Sequence, residues 1–140
     1  MLSLVIDTDV MFAAFDSPTG ASRRLVEMVI EGAVVMMASV ALFLEYEAVL
    51  TRPESLKRFA LSHDDVTGAL DDLATCIRPV GFDFRWRPAA ADPDDDLVLE
   101  TAVNGCADLI ASFNTRDLKE SARRFGIEVE RPAVLLRRFT

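Results

Sequence analysis

The sequence is poor in the residues that most often build disulfides and transition-metal sites. It contains two cysteines and one histidine among 140 residues, and neither Cys76 nor Cys106 lies in a metal-ligand spacing. This scarcity argues against a disulfide-stabilised fold, so we expect both cysteines to be reduced core residues of a cytoplasmic protein. His63 lies at a predicted helix start, and we expect it on the surface rather than at a catalytic centre.

Long apolar runs, repeats and linkers are absent as well. The longest apolar run covers residues 33–44, which is shorter than the roughly 20 residues that a membrane-spanning helix needs. We therefore expect no membrane partner, and no signal peptide, because Met1 leads directly into strand-like residues without a basic segment. The length fits a single domain over residues 1–140.

Positive charge is scarce. The chain has 15 lysines and arginines against 23 aspartates and glutamates, which gives a formal net charge of -8. This balance argues against a general nucleic-acid coat protein, since such proteins are strongly basic. It does not exclude a nuclease whose acids hold metal ions, because such an enzyme needs only local positive patches. Nearly all the basic residues are arginines, which suit bidentate contacts to phosphate or carboxylate.

Strand-like and helix-like segments alternate along the chain. This alternation predicts βαβ units in a three-layer α/β/α sandwich around a central, mostly parallel sheet of about five strands. The predicted strands cover residues 2–6, 33–37, 77–80, 108–112 and 127–129. The predicted helices cover residues 21–31, 39–50, 53–59, 62–76, 94–104 and 117–125, and a last one that Pro132 opens.

Several of these boundaries depend on capping residues. Ser39 is expected to be the N-cap of the helix that follows the second strand, and Gly32 to end the helix before that strand. Ser62 and Asp65 resemble a capping box with aspartate in place of the usual glutamate. Residues 81–91 are predicted to be irregular.

Acidic residues occur where predicted strands end or where the next helices begin. The set comprises Asp7 after the first strand, Glu45 in the helix after the second, the cluster Asp92, Asp94, Asp95 and Asp96, and Asp117 after the fourth. Ligands of open parallel sheets bind at the carboxyl ends of the strands, so we expect these acids to converge. Because carboxylates packed together repel each other, the group needs a cation or raised pKa values. The sequence therefore predicts a divalent metal site.

Simple structural roles remain open for each acid. Asp9 or Thr8 can be explained by a local turn, and Asp117 by the preference for acids at helix starts. Glu45 can belong to a solvated face shared with Glu47. Its many apolar neighbours favour a paired or metal-bound carboxylate instead, since an isolated buried charge is costly.

The cluster at residues 92–96 is too dense for helix capping alone. Capping accounts for one or two acids, whereas four lie within five residues. Asp95 is the member that we expect to face inward, because Leu99, Ala102 and Val103 continue its face of the helix.

Five segments, in their order and spacing, resemble one family. They are VIDTDV (residues 5–10), LEYEAVL (44–50) with Arg52-Pro53, DPDDD (92–96), ADLI (107–110) and NTRDL (114–118). Together they resemble the PIN-domain family, in particular the toxin components of bacterial toxin–antitoxin pairs. The resemblance covers nearly the whole chain and implies a sheet of about five parallel strands between layers of helices.

The resemblance also implies an activity. In the family the matching acids bind Mg²⁺ or Mn²⁺ and support hydrolysis of RNA. Carried over to this chain, Asp7 and Asp95 would be the main metal ligands, Glu45 would bind directly or through water, and Asp117 would complete the site. The implied partners are an RNA substrate and a cognate antitoxin protein. Relatives often form homodimers, for which the apolar helices in residues 56–73 offer a surface.

Two departures from the family pattern concern the predicted site. Asp9 stands where the family usually has asparagine, which adds charge near the site. Phe113 and Asn114 stand where many relatives have glycine and aspartate. Asn114 is a candidate capping or metal-shell oxygen, and Arg116 is the nearest candidate for holding a substrate phosphate.

Two other functions remain open. One is a PIN-like module that has lost catalysis and acts by binding proteins, which the two departures favour. The other is a haloacid-dehalogenase-like phosphatase, because residues 7–10 also resemble the start of such enzymes, where the first aspartate is a nucleophile. Those enzymes need a lysine that reaches the phosphoryl group, and neither Lys57 nor Lys119 is well placed.

Overall fold

The computed structural model describes residues 1–81 and 93–139, and the side chains of residues 1–81 and 97–139. The strands in this part of the chain are β1 (Ser3–Ile6), β2 (Val35–Ala38), β3 (Ile77–Pro79), β4 (Leu109–Ala111) and β5 (Glu128–Glu130). The helices are α1 (Thr8–Asp16), α2 (Ala21–Ile30), α3 (Val40–Leu50), α4 (Pro53–Phe59), α5 (His63–Ala74), α6 (Pro93–Asn104), α7 (Thr115–Arg123) and α8 (Pro132–Phe139). Across these helices, none combines the length and apolar character that a membrane crossing requires. The segment predicted to be irregular lies, apart from Gly81, outside the described residues.

The five strands form one sheet in the order β3-β2-β1-β4-β5, and all four pairings are parallel. This confirms the predicted α/β fold with a central parallel sheet. The central strand β1 is apolar on both faces, since Leu4, Val5 and Ile6 are completely buried. Such continuous burial is typical of parallel strands that have helices on both sides.

The strand order reverses at β1. After β1, the strands β2 and β3 are added in turn on one side of it. Helix α6 then crosses back over the sheet and packs against β1, β2 and β4. The carboxyl ends of β1 and β4 therefore form the switch point where open α/β sheets bind ligands. Because Ile6 pairs with Ala111, the next residues, Asp7 and Ser112, come side by side at this point.

The capping predictions are confirmed. The Ser39 hydroxyl accepts a hydrogen bond from the first turn of α3, at 3.1 Å. Ser62 and Asp65 form both hydrogen bonds of a capping box at the start of α5. Gly32 follows α2 with a φ of +81°, a left-handed conformation that suits glycine at a helix end. Pro53 lies in the first turn of α4, where its missing N–H costs nothing.

Helix α1 was not predicted. It begins directly after β1 with Asp7 as its N-cap, and it buries Val10, Met11 and Ala14 against the core. The segment is mostly apolar, so it lacks the polar face that makes a helical period visible in a sequence. Most other elements begin or end one or two residues from the predicted positions. For example, α7 begins at Thr115 rather than Asp117, and β5 covers Glu128–Glu130 rather than residues 127–129.

The prediction that both cysteines are core residues is wrong. Cys106 is exposed and has a φ of +53°, so it is not a core residue, and Cys76 is only partly buried. Residues 56–73 were expected to offer a dimer surface. Val66, Leu70 and Leu73 of this segment are buried in the core of the protein, whereas Leu61 is exposed. Homodimer formation stays a prediction without an assigned surface. His63 is exposed at the start of α5, as expected.

Candidate active site

Asp7 lies at the centre of the switch point. It follows β1, caps α1, and is only 8% exposed. Its Oδ1 accepts a hydrogen bond from the backbone N–H of Thr8, and its Oδ2 accepts one from the Ser112 hydroxyl, each at 2.7 Å. Both carboxyl oxygens are therefore oriented by bonds to the two strand ends that meet here.

The surroundings of Asp7 raise its pKa to about 6. Burial is the largest cause, followed by repulsion from the nearby Asp9, and Glu45 adds a smaller repulsion. The hydrogen bonds from Ser112 and Thr8 favour the charged form and partly offset these effects. The carboxyl of Asp7 thus takes up a proton at a higher pH than an ordinary aspartate does, and a bound cation would lower its pKa again.

Glu45 reaches the same point from α3. It is partly buried, and its Oε2 accepts a short hydrogen bond from the Thr8 hydroxyl. Thr8 therefore bonds to Asp7 through its backbone and to Glu45 through its side chain. One residue holds the two carboxylates in a fixed relationship.

Tyr46 anchors the helix that carries Glu45. Its hydroxyl donates to the backbone carbonyl of Ile6, the last residue of β1, and the side chain is completely buried. Burial and the nearby charges of Asp7 and Glu45 raise the pKa of Tyr46 well above its usual value, so the hydroxyl stays a donor. The position of Glu45 is thereby tied to the end of the central strand.

A second hydroxyl contact joins α3 to α6. Ser39 Oγ and Thr101 Oγ1 are 2.9 Å apart in the buried interior. The Thr101 hydroxyl donates to the carbonyl of Leu97 at 2.8 Å, so the Ser39 hydroxyl must be the donor in the pair. The contact fixes the helix of Glu45 against the helix that begins with the predicted acidic cluster.

Asp9 connects α1 to the loop after β4. Its Oδ2 accepts a hydrogen bond from the backbone N–H of Phe113 at 3.2 Å. In the same loop, the Ser112 hydroxyl accepts from the N–H of Asn114 at 2.9 Å. An asparagine oxygen can accept the same bond, so what distinguishes Asp9 from the usual family residue is its charge.

The remaining predicted residues follow β4. Asn114 is the N-cap of α7, although its side chain makes no capping hydrogen bond. Arg116 and Asp117 are exposed in the first turn of that helix. The Asp117 side chain makes no hydrogen bond or ion pair with Asp7, Glu45 or any other described residue.

Asp95 lies in the first turns of α6, but its side chain is outside the described residues, as are those of its acidic neighbours. Within the described side chains, no group of three or more acids, histidines and cysteines is arranged to hold a metal ion. The structure thus brings Asp7 and Glu45 together through Thr8, and it places Asp117 on the helix that follows the neighbouring strand.

Three residues of this site were missed by sequence reasoning as contributors to it. Ser112, Thr8 and Tyr46 position the two carboxylates by hydrogen bonds. Ser112 is the first polar residue after the apolar strand β4, which is a usable signal. Its role depends on β4 lying next to β1, and the order of strands cannot be read from the local sequence.

A family model of the PIN domain matches residues 3–116, which is most of the chain. The chain therefore belongs to the PIN-domain family. PIN domains are generally nucleases, and they typically use divalent metal ions. No curated protein shows significant similarity to this sequence. The family assignment argues against the haloacid-dehalogenase-like alternative.

The donor atoms of the site fit such an ion. Asp7 and Glu45 offer carboxylate oxygens, which Mg²⁺ and Mn²⁺ prefer over nitrogen and sulfur. Mg²⁺ keeps several waters, so one or two carboxylates suffice to bind it. The raised pKa of Asp7 reflects its burial first and the negative charges of Asp9 and Glu45 after that, and a bound cation would offset all three effects.

Proposed function

We propose that the protein is a ribonuclease dependent on Mg²⁺ or Mn²⁺ and that it acts as the toxin of a toxin–antitoxin pair. The observation that carries the nuclease proposal is the buried Asp7 carboxyl, held at the switch point between β1 and β4 beside Glu45. Negative charge that is concentrated and oriented at this position is what a divalent ion requires.

Each acid has a proposed role. Asp7 and Asp95 are the main metal ligands, Glu45 binds directly or through water, and Asp117 completes the site. A divalent ion, when bound, neutralises charge on the phosphate and makes water more acidic. Asn114 and Arg116, at the start of α7, are the proposed substrate contacts, with Arg116 binding a phosphate.

The chain's own residues prepare the site. Ser112 and the Thr8 N–H fix the Asp7 carboxyl, and the Thr8 hydroxyl fixes that of Glu45. Such orientation by hydrogen bonds keeps catalytic groups in place without reorganisation during the reaction. His63 is exposed on α5, so proton transfer is assigned to carboxylates rather than to an imidazole.

Metal binding and RNA cleavage test the nuclease proposal. Mn²⁺ or Mg²⁺ should raise the melting temperature of the protein, because an ion that binds only the folded state stabilises it. Asp7→Asn should abolish this rise and the cleavage of RNA, whereas Asp71→Asn, an exposed change on α5, should preserve both. Equal metal responses in the wild type and Asp7→Asn would reject the assigned site.

The toxin role needs a separate test. Induced expression should slow bacterial growth, and Asp95→Ala should relieve the effect. The small protein encoded beside the gene should bind tightly and suppress cleavage. If that protein does not associate in a pull-down, the toxin–antitoxin assignment fails while the nuclease chemistry stands. Normal growth with abundant folded protein and no cleavage of RNA would instead favour the binding module.

A further inference from the structure

A cleft of about 620 Å³ opens beside the candidate active site. Its lining includes Thr8 and Asp9 at the start of α1, Arg52 at the α3–α4 corner and Arg58 of α4. Thr8 is also the residue whose hydroxyl donates to Glu45. The wall of the cleft is therefore continuous with the site that contains the two carboxylates.

The corner that carries Arg52 is rigid. Pro53 follows Arg52 in the first turn of α4, and the Arg52 carbonyl accepts from the N–H of Leu56 at 3.0 Å. The buried Ser55 hydroxyl donates to the Val49 carbonyl of α3 at 2.8 Å, which holds the two helices together. The guanidinium of Arg52 extends from this fixed corner, exposed and without an ion pair to any described residue.

Arg58 has a different environment. Its Nε and Nη2 donate to the two carboxylate oxygens of Asp16, at 2.8 and 2.9 Å. Its guanidinium carbon lies 5.9 Å from the centre of the Phe12 ring. The charge of Arg58 is thus balanced within the protein, and this residue forms a wall of the cleft. Arg52 is the cation of the cleft that is available to an outside anion.

Neither acid that lines the cleft forms an ion pair with Arg52. Asp9 directs its Oδ2 to the Phe113 N–H, and Glu54 is exposed in the first turn of α4. The chain as a whole has a net charge of -8, so its general surface repels nucleic acid. A phosphate contact therefore has to come from particular arginines near the site, and Arg52 meets this requirement.

We propose that this cleft binds the phosphodiester backbone next to the bond that is cleaved, and that Arg52 binds its phosphate. The proposal rests on the proposed ribonuclease function and names the path of the substrate at that site. A guanidinium matches two phosphate oxygens with parallel N–H donors. Contacts of this kind position a nucleic acid without reading its sequence. A strand lying in the cleft would continue past Thr8 towards Asp7 and Glu45.

Binding of a fluorescently labelled single-stranded oligouridylate tests the proposal. Anisotropy would be measured with EDTA over a series of KCl concentrations, so that binding is separated from cleavage. Arg52→Ala should weaken binding about tenfold, or about 1.4 kcal/mol, because it removes a charge-assisted contact to a phosphate. It should also reduce the slope of log K against log[salt] by about 0.7, the value for one lost phosphate contact on a single strand.

Arg137→Ala is the matched control. Arg137 is exposed on α8, and the next residue, Arg138, pairs with Glu128 at the beginning of β5. This arginine therefore lies near the amino ends of the strands, away from the switch point, and its removal should leave affinity and salt slope unchanged. Glu54→Gln, which removes a repulsive charge beside Arg52, should tighten binding. Circular dichroism of each variant would verify that it is folded.

The outcomes separate this proposal from the proposed function. If Arg52→Ala and Arg137→Ala both bind like the wild type while RNA is cleaved with Mn²⁺, the proposal that Arg52 binds a phosphate in the cleft is rejected. The proposed ribonuclease activity is supported in that case. If binding depends on Arg52 but no RNA is cleaved with Mn²⁺, the ribonuclease proposal is wrong, and the cleft is a site that binds nucleic acid without cleaving it. A DNA oligonucleotide should lose the same factor with Arg52→Ala. A loss confined to RNA would overturn a phosphate contact, because the 2′-hydroxyl would then be what Arg52 reads.

Discussion

The Ser112 hydroxyl donates a hydrogen bond of 2.7 Å to Asp7 Oδ2, although the two residues are 105 positions apart in the chain. They meet because β4 pairs with β1 and the two strands end at the same level. The same hydroxyl accepts from the N–H of Asn114, so it connects the carboxyl of Asp7 to the loop that leads into α7. Asp7 therefore depends on both strands for its orientation and its charge.

This relationship predicts opposite pKa changes in two variants. Ser112→Ala should raise the pKa of Asp7 above about 6, because the bond that favours the carboxylate is lost. Asp9→Asn should lower it, because the nearby negative charge is lost while an oxygen remains to accept the Phe113 N–H bond. NMR titration of the aspartate carboxyl carbons, without metal, measures both. Shifts in the same direction for the two variants would contradict the assigned causes.

The raised pKa of Asp7 also predicts how stability depends on pH. Below about pH 4 its carboxyl is protonated in the folded and the unfolded chain, and the folded state keeps the proton up to about pH 6. Compared with neutral pH, this group therefore adds up to about 3 kcal/mol to the free energy of unfolding at low pH. The contribution is lost as pH rises through about 6.

Urea unfolding of metal-free wild type and Asp7→Asn measures this contribution. The variant should be the more stable protein near neutral pH, and its advantage should shrink towards pH 4. The difference between the two curves isolates Asp7 from carboxylates such as Asp16, whose pKa is lowered by Arg58. Asp71→Asn should follow the wild type at every pH. A difference between wild type and Asp7→Asn that does not change with pH would reject the shift.

The fold could be predicted from the sequence because parallel strands are buried on both faces. Runs such as the one around Leu4, Val5 and Ile6 are therefore apolar throughout and easy to recognise. Helices with a solvated face and capping residues, such as α5 with Ser62 and Asp65, were equally visible. Helix α1 was not predicted because so little of it is polar. Its one clear signal is Asp7 as N-cap, and this residue was interpreted only as a metal ligand.

The acids of the site could be predicted, but not the residues that hold them. Asp7 and Glu45 stand out because a charge beside apolar residues needs an explanation. Ser112 gives only a local signal, as the first polar residue after β4, and Tyr46 gives none, since a tyrosine in a helix is common. Their functions arise from the pairing of β4 with β1 and from the packing of α3 on β1, which are properties of the folded chain.

Tyr46→Phe should destabilise the protein and loosen the site. The change removes the hydroxyl that donates to the Ile6 carbonyl and leaves this buried acceptor without that partner. The expected loss in the free energy of unfolding is about 1–3 kcal/mol, measured by urea titration. Because Glu45 is the next residue, affinity for Mn²⁺ should fall as well. Unchanged stability and metal affinity would show that α3 does not depend on this anchor.

The contact between Ser39 and Thr101 should appear as a coupling energy. Ser39→Ala removes the cap of α3 and the donor to Thr101, and Thr101→Val removes the acceptor while keeping the shape of the side chain. Each single change should destabilise the protein by about 1–2 kcal/mol. The double variant should lose less than the sum by about 1 kcal/mol, since the shared bond can be lost only once.

Thr67→Val supplies the control for this cycle. The Thr67 hydroxyl donates to the carbonyl of His63 four residues earlier, as that of Thr101 does to Leu97, but Thr67 lies in α5 and does not contact Ser39. Ser39→Ala combined with Thr67→Val should therefore be additive. Additivity in both cycles would show that α3 and α6 are not held together by this bond. The helices of Glu45 and Asp95 would then be positioned by apolar packing alone.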